Sequence, residues 1–143
     1  MVIVTDCMYR SAIAAIYTLH ELHEEIIAVT VDTHPNPPAF KSKYIKERVV
    51  LPAKREEYTN SLVKLCLKYT KPVILPIGVF TLNILSENAA AFKSIADFAV
   101  SDKQTLDTIN NKKLSKEFAT AAGISVPQKT TDFPMVVKPF CGE

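Results

Sequence analysis

Several absences from this 143-residue sequence exclude classes of protein before any motif is considered. The three cysteines are odd in number and far apart, with no Cys-x-x-Cys pair, so neither a disulfide framework nor a cysteine zinc site is predicted. No apolar run approaches the roughly 18 residues of a membrane span, and the N-terminus lacks the basic start of a signal peptide. The sequence therefore predicts a cytosolic protein.

The chain also lacks a strong charge of either sign. Seventeen basic and 15 acidic residues give a formal net charge of +2, which argues against nucleic acid or a membrane surface as the main partner. Hydrophobic residues make up 48% and charged residues 22%, as in ordinary globular proteins. A chain of this size is expected to bury roughly 68% of its unfolded surface.

Glycine is missing where a dinucleotide site would need it. The turn after the first predicted strand, residues 6–11, contains none, so a pyrophosphate could not approach the backbone there. The sequence has no Gly-x-Ser-x-Gly elbow and no Walker-type motif. His20 and His23 are one residue too close for His-Glu-x-x-His, so no metal ligand is predicted.

Strand and helix patterns alternate along most of the chain. The pattern predicts strands at 2–5, 26–31, 48–51, 72–75 and 98–100. Helices are predicted at 10–23, at 56–69, from a cap at Ser86 through 95, from a cap at Ser101, and at 112–122. Such alternation predicts an α/β fold, a Rossmann-like parallel sheet flanked by helices. The alternation stops near residue 126, so we predict one domain at 1–125 and the start of a second at 126–143.

Two lysines are candidates for phosphate contacts. Residues 135–142 read as a short strand that delivers Lys138 into a turn containing Gly142, which would present an ammonium and backbone N–H groups to phosphate. Lys112 opens the helix that precedes this strand. Arg10 and Ser11 begin the first helix, where an ordinary helix start is the favoured interpretation and an anion contact is the alternative.

These segments resemble the N-terminal (pre-ATP-grasp) domain of the ATP-grasp superfamily. The resemblance is to enzymes such as biotin carboxylase and the carbamoyl-phosphate synthase large subunit, and it is most specific from Leu85 to Pro139. Its motifs are Leu85-Ser-Glu-Asn88, Val100-Ser-Asp-Lys103, Asn111-Lys112, Ala122-Gly-Ile-Ser-Val-Pro127 and Val136-Val-Lys-Pro139.

The resemblance implies roles for individual residues. Lys112 and Lys138 would contact the phosphates of ATP, and Gly142 would begin the glycine-rich loop that closes over them. The candidates for the substrate side are Arg10, Ser11, Ser86, Glu87 and Asn88. Two departures from the family pattern stand out: the first turn has no glycine, and Phe140 and Cys141 interrupt the phosphate loop.

The implied function is that of the N-terminal domain of an ATP-dependent carboxylate–amine ligase. The parent enzyme would use Mg-ATP to activate a small-molecule carboxylate or bicarbonate as an acyl phosphate, which an amine then attacks. Catalytic and magnesium-binding residues are expected beyond Glu143, so this chain is expected to bind no cofactor and to be inactive alone. It could form a homodimer through the surface left by the missing lobes. The alternative is a stand-alone α/β module that binds a protein partner or small ligand.

Overall fold

A computed structural model describes residues 1–127. The chain divides into two compact units, Met1–Val100 and Ser101–Glu143. The predicted second domain, 126–143, falls almost wholly outside the described residues and stays a prediction. Among the described residues, no helix is both long enough and apolar enough to cross a membrane.

The first unit is built on a four-stranded parallel sheet with the strand order β3-β2-β1-β4. The strands are β1 Val2–Val4, β2 Ile26–Val31, β3 Glu47–Leu51 and β4 Val73–Leu75. Every residue of β2 is buried, because helices cover both faces of a parallel sheet, and its sequence is correspondingly an apolar run. The predicted α/β class with a Rossmann-like parallel sheet is confirmed.

The helices place the core on both faces of this sheet. They are α1 Ser11–Glu21, a short 3-10 helix Pro38–Lys41, α2 Arg55–Cys66, α3 Val79–Glu87 and α4 Ala89–Phe92. Alternate strand residues enter opposite cores, because side chains alternate across a strand. Ile27 and Val29 pack with Tyr58 of α2, whereas Ile26 and Ala28 pack with Ile16 of α1.

The second unit contains two described helices, α5 Lys103–Asn110 and α6 Lys112–Ala121. Each helix has a side-chain cap at its amino end. The Asp102 carboxylate accepts from Thr105 N at 2.9 Å, and Asn111 Oδ1 accepts from Lys113 N and Leu114 N at 3.0 and 3.2 Å. Both arrangements satisfy N–H groups that have no partner within the helix.

Three local predictions were wrong. The predicted strand at 98–100 is absent, and Asp97 instead makes a single bridge with Val73. Ser86 does not cap a helix, because α3 begins seven residues earlier, at Val79, and runs through it. Asp102, not Ser101, caps α5, since its extended backbone aims the carboxylate at the first turn.

Candidate functional site

The crevice of interest lies where β1 and β4 end. The chain passes from β1 to β2 on one side of β1, while β4 lies on its other side. The carboxyl ends of β1 and β4 therefore flank a topological switch point, the place where open α/β sheets usually form ligand sites. Residues 5–10 follow β1, and residues 76–78 lead from β4 into α3.

A buried carboxyl group fills this crevice. Asp6 is 2% exposed, and its Oδ2 atom accepts from Thr5 Oγ1 at 2.8 Å and from Gly78 N at 3.0 Å. Its Oδ1 atom accepts from Thr81 Oγ1 at 3.0 Å. The Tyr58 hydroxyl lies 2.8 Å from Thr81 Oγ1, so the network reaches α2. Burial raises the pKa of Asp6, and the hydrogen bonds from Gly78, Thr5 and Thr81 oppose that rise.

Gly78 allows the backbone to approach this carboxyl group closely. A Cβ atom at position 78 would lie 2.6 Å from Tyr9 Cε2 and 3.1 Å from Asp6 Cβ. The first distance is far inside van der Waals contact, so a larger residue would displace the Tyr9 ring or move the start of α3 away from Asp6. Glycine is needed here for space.

A shallow depression lies beside the crevice, at the carboxyl ends of β1 and β2. Its volume is about 280 Å³, and Met8 and residues 34–38 line it. Three of the lining residues are prolines, so the walls are largely apolar, with His34 and Asn36 as the polar contributors. A small, mostly apolar group would suit such a surface.

Arg10 and Ser11 lie at the start of α1, as predicted, and both are exposed. Arg10 has helical backbone angles and makes no side-chain capping hydrogen bond. This geometry fits the ordinary helix start that the sequence favoured. The anion contact remains a prediction.

The substrate-side candidates at 86–88 lie at the far end of α3. Ser86 follows Gly78 by eight residues. At the helical rise of about 1.5 Å per residue, it lies about 12 Å along the helix axis from the crevice. Glu87 pairs with Arg55 at 2.5 Å, and Asn88 Nδ2 donates to the Ile84 carbonyl at 2.9 Å. The Ser86 hydroxyl is buried and has no hydrogen-bond partner among the described residues. The α3 helix therefore separates these residues from the switch-point crevice.

Lys112 is the first residue of α6, in the second unit, and its side chain is exposed. Asn111 already accepts from two N–H groups of the first turn, so Lys112 would meet an anion chiefly through its ammonium. Lys138 and Gly142 lie outside the described residues. Within residues 1–127, no group of three or more His, Cys, Asp or Glu side chains is arranged to hold a metal ion.

Sequence reasoning missed the cluster at the crevice, which consists of Asp6, Gly78 and Thr81 with Tyr58. A signal was present, because Asp6 ends the first strand segment and Gly78 follows the fourth, and the carboxyl ends of neighbouring parallel strands meet. Cys7, the residue after Asp6, does not have the character of a reactive thiol. Burial raises the pKa of that thiol to about 12, and its sulfur donates to the Val4 carbonyl at 3.3 Å.

Comparison with known proteins identifies structures with a similar fold but no sequence family. No family model matches the sequence, and neither does any curated protein. Among solved structures, L-amino acid ligase from Bacillus licheniformis matches 99% of this chain, with a TM-score of 0.67 and 14% identity. The biotin carboxylase subunit of pyruvate carboxylase matches 87% of it, with a TM-score of 0.57 and 20% identity. The chain has the fold of an ATP-grasp N-terminal domain.

A third solved structure with this fold carries ligands. It is the biotin carboxylase domain dimer of Hydrogenobacter thermophilus 2-oxoglutarate carboxylase in complex with MgADP and bicarbonate, matched over 85% of this chain with a TM-score of 0.56 and 19% identity. The ATP-grasp N-terminal fold accounts for only part of each relative. The chain spans 37%, 28% and 27% of the three matched chains. The resemblance found in the sequence is confirmed at the level of the fold.

Proposed function

We propose that this chain is the N-terminal domain of an ATP-grasp ligase that activates a carboxylate or bicarbonate with Mg-ATP for attack by an amine. The observation that carries the proposal is the match to L-amino acid ligase over 99% of the chain. The matched carboxylase domain that holds MgADP and bicarbonate supports the same chemistry. A carbamoyl-phosphate synthase-like reaction and a cytosolic location belong to this proposal.

The position of Lys112 supports a phosphate contact. A cation in the first turn of a helix is disfavoured by the helix dipole, so Lys112 gives α6 no stability through that interaction. An exposed ammonium at the amino end of a helix does attract anions, because the ammonium and the helix end both carry positive charge. We therefore assign Lys112, with Lys138 and Gly142, to the phosphates of ATP.

Magnesium would be held by residues outside 1–127, since the described residues offer no cluster of metal ligands. Mg-ATP, when bound, supplies the phosphoryl group that activates the carboxylate. Within this chain, Lys112 would bind and orient phosphate oxygens. Ser86, Glu87 and Asn88 would lie on the substrate side, at the carboxyl end of α3.

Substitution of single lysines in the full-length protein tests the assignment. A charge-assisted hydrogen bond to phosphate contributes about 1.5–3 kcal/mol, so Lys112→Ala or Lys138→Ala should weaken ATP binding about tenfold to a hundredfold. The matched control is Lys113→Ala, because Lys113 carries the same charge in the first turn of α6 and the resemblance assigns it no phosphate contact. Unchanged ATP affinity in folded Lys112→Ala and Lys138→Ala variants would contradict the assignment.

The reaction class has its own test. The full-length protein is incubated with Mg-ATP, bicarbonate or a panel of amino acids, and ADP release is measured. We expect ADP release that depends on the carboxylate. ADP release absent from every mixture would favour the alternative, a stand-alone module.

The homodimer expected of a chain without its neighbouring lobes is supported by exposed apolar side chains. In the second unit, Phe118 is 68% and Ile109 56% exposed. Such surfaces favour association, and a homodimer is the form that we propose. Light scattering of the 143-residue chain should then give twice the monomer mass, and Phe118→Ser should shift the protein to monomer, whereas Thr120→Ser should not.

A further inference from the structure

Helix α3 begins without a cap from its own sequence. Its N-cap residue, Gly78, has no side chain to accept a hydrogen bond from the first turn. The amino end of a helix carries unpaired N–H groups and a partial positive charge, and it commonly binds phosphate or carboxylate. In this protein the group at that position is the carboxyl of Asp6, 72 residues earlier in the chain, with Oδ2 at 3.0 Å from Gly78 N.

The surroundings of Asp6 form a complete carboxylate site. Both carboxylate oxygens accept hydrogen bonds. Oδ2 accepts from Thr5 Oγ1 and Gly78 N, and Oδ1 accepts from Thr81 Oγ1. Thr5 and Thr81 are fully buried, and Tyr58 covers the hydroxyl of Thr81 from the α2 side. Each polar group in the network has a partner, so no external ligand is needed to satisfy it.

The backbone of Asp6 is shaped to place this side chain. Its φ angle is 55°, in the left-handed region that Asp enters more readily than most residues. Such a conformation persists where the surrounding structure fixes it. The hydrogen bonds to Gly78 and Thr81 supply that constraint, and they join the end of β1 to the start of α3.

We propose that Asp6 is an internal anionic ligand, whose side chain occupies a carboxylate site formed by Gly78, Thr81 and Thr5 and closes the switch point to external anions. A phosphate or carboxylate ligand of this protein therefore does not bind at the amino end of α3. Removal of the side chain should turn the crevice into a site for a free carboxylate. The proposal does not depend on the ligase function.

Acetate is the probe that matches the missing group. Asp6→Gly removes CH2–COO⁻, which acetate replaces almost atom for atom, and glycine adopts a positive φ without strain. The melting temperature of Asp6→Gly should rise saturably with sodium acetate, by on the order of 3–6 °C, beyond the effect of sodium chloride at equal ionic strength. Inorganic phosphate, which is larger and tetrahedral, should give a smaller rise.

Two proteins serve as controls. In the wild type the site is filled, so acetate and chloride should have equal effects. In Asp32→Gly the missing carboxylate is an exposed one that accepts from Ala53 N at 2.9 Å, so a free acetate should gain little there. An equal acetate response in all three proteins would overturn the proposal. A larger response of Asp6→Gly to phosphate than to acetate would also overturn it.

A measurement on the wild type covers the case in which Asp6→Gly does not fold. In an NMR pH titration, the Asp6 carboxyl carbon and the Gly78 amide proton should shift with the same midpoint, because the two groups are hydrogen-bonded. A Gly78 amide that does not follow the carboxyl carbon would show that the two groups are not hydrogen-bonded, and the internal-ligand proposal would fail.

Discussion

At the scale of single residues, Gly78 is constrained by the space around it. Its backbone lies in the extended region, with φ of −109°, so any residue could adopt its conformation. The constraint is the space taken by the Tyr9 ring and by Asp6. Gly123 is the opposite case, because its φ is +75° and a Cβ atom there would meet nothing within 4 Å.

This contrast gives a double-mutant prediction. Gly78→Ala should lower the free energy of unfolding by about 1–3 kcal/mol, as overpacking does elsewhere. Adding Tyr9→Ala should recover part of that loss, because it removes the ring atom at 2.6 Å. Denaturant unfolding of the four proteins of the cycle measures the recovery. Gly123→Ala is the control: its cost is backbone strain, which Tyr9→Ala should leave unchanged.

The stability of the protein should depend on the ionisation of Asp6. Burial raises its folded-state pKa above the ordinary 3.8, so between these two values the unfolded chain is ionised while the folded chain is still protonated. The unfolded state then binds fewer protons, and stability falls as pH rises from about 4 through the folded-state pKa. Above that pKa the Asp6 contribution is constant.

Asp6→Asn tests this dependence. The variant should lose the part of the pH profile that Asp6 contributes. The difference in unfolding free energy between wild type and variant should therefore change from about pH 4 up to the folded-state pKa of Asp6 and then level off. Two titratable neighbours, Tyr58 and Cys7, do not titrate near the pKa of an ordinary carboxyl group. Burial, together with the negative charge of Asp6, raises the pKa of Tyr58, and burial raises that of Cys7 to about 12, so both stay protonated. Parallel profiles for the two proteins would contradict the prediction.

At the scale of secondary-structure elements, α6 depends on its cap. None of its described residues is buried, so packing within its own unit stabilises it little, and Asn111 holds two N–H groups of its first turn. Short helices with few tertiary contacts are marginal in water. Lys112 therefore sits on an element whose stability is local.

Asn111→Ala should weaken α6 by about 1 kcal/mol. Amide hydrogen exchange should report this as about fivefold faster exchange at the amides of α6, while β2 exchanges at its wild-type rate. Asn110→Ala is the matched control, because Asn110 ends α5 and caps no helix. Equal effects of the two substitutions would show that the cap contributes nothing specific.

At the scale of the whole molecule, the 143-residue chain should bind Mg-ATP at about millimolar affinity or weaker and should not turn it over. Phosphoryl transfer needs carboxylates for magnesium and donors around the γ-phosphate, and no metal-ligand cluster occurs within residues 1–127. An exposed lysine gains little from a charge partner in water. Calorimetric titration measures the affinity, and low-micromolar binding or ADP production by the purified chain would contradict the prediction.

The sequence alone determined the α/β class and most element positions. The apolar run at 26–31 predicts β2 to the residue, because a strand buried on both faces must be continuously hydrophobic. The periodic pattern at 112–122 likewise matches α6 within one residue. Local signals are weaker where neighbouring polar side chains can cap the same helix. The sequence pattern predicts Ser101 as the cap of α5, whereas Asp102 provides it.

Only the tertiary structure decided what occupies the switch point. Asp6 and Gly78 are separated by 71 intervening residues, and their contact exists because β1 and β4 are neighbours in a sheet whose order is β3-β2-β1-β4. A strand pattern does not state which strands are adjacent. Local sequence therefore specified the elements, through hydrophobic periodicity and capping. The order of the strands brought the carboxylate of one turn to the amino end of a distant helix, where the N–H and hydroxyl donors bind it.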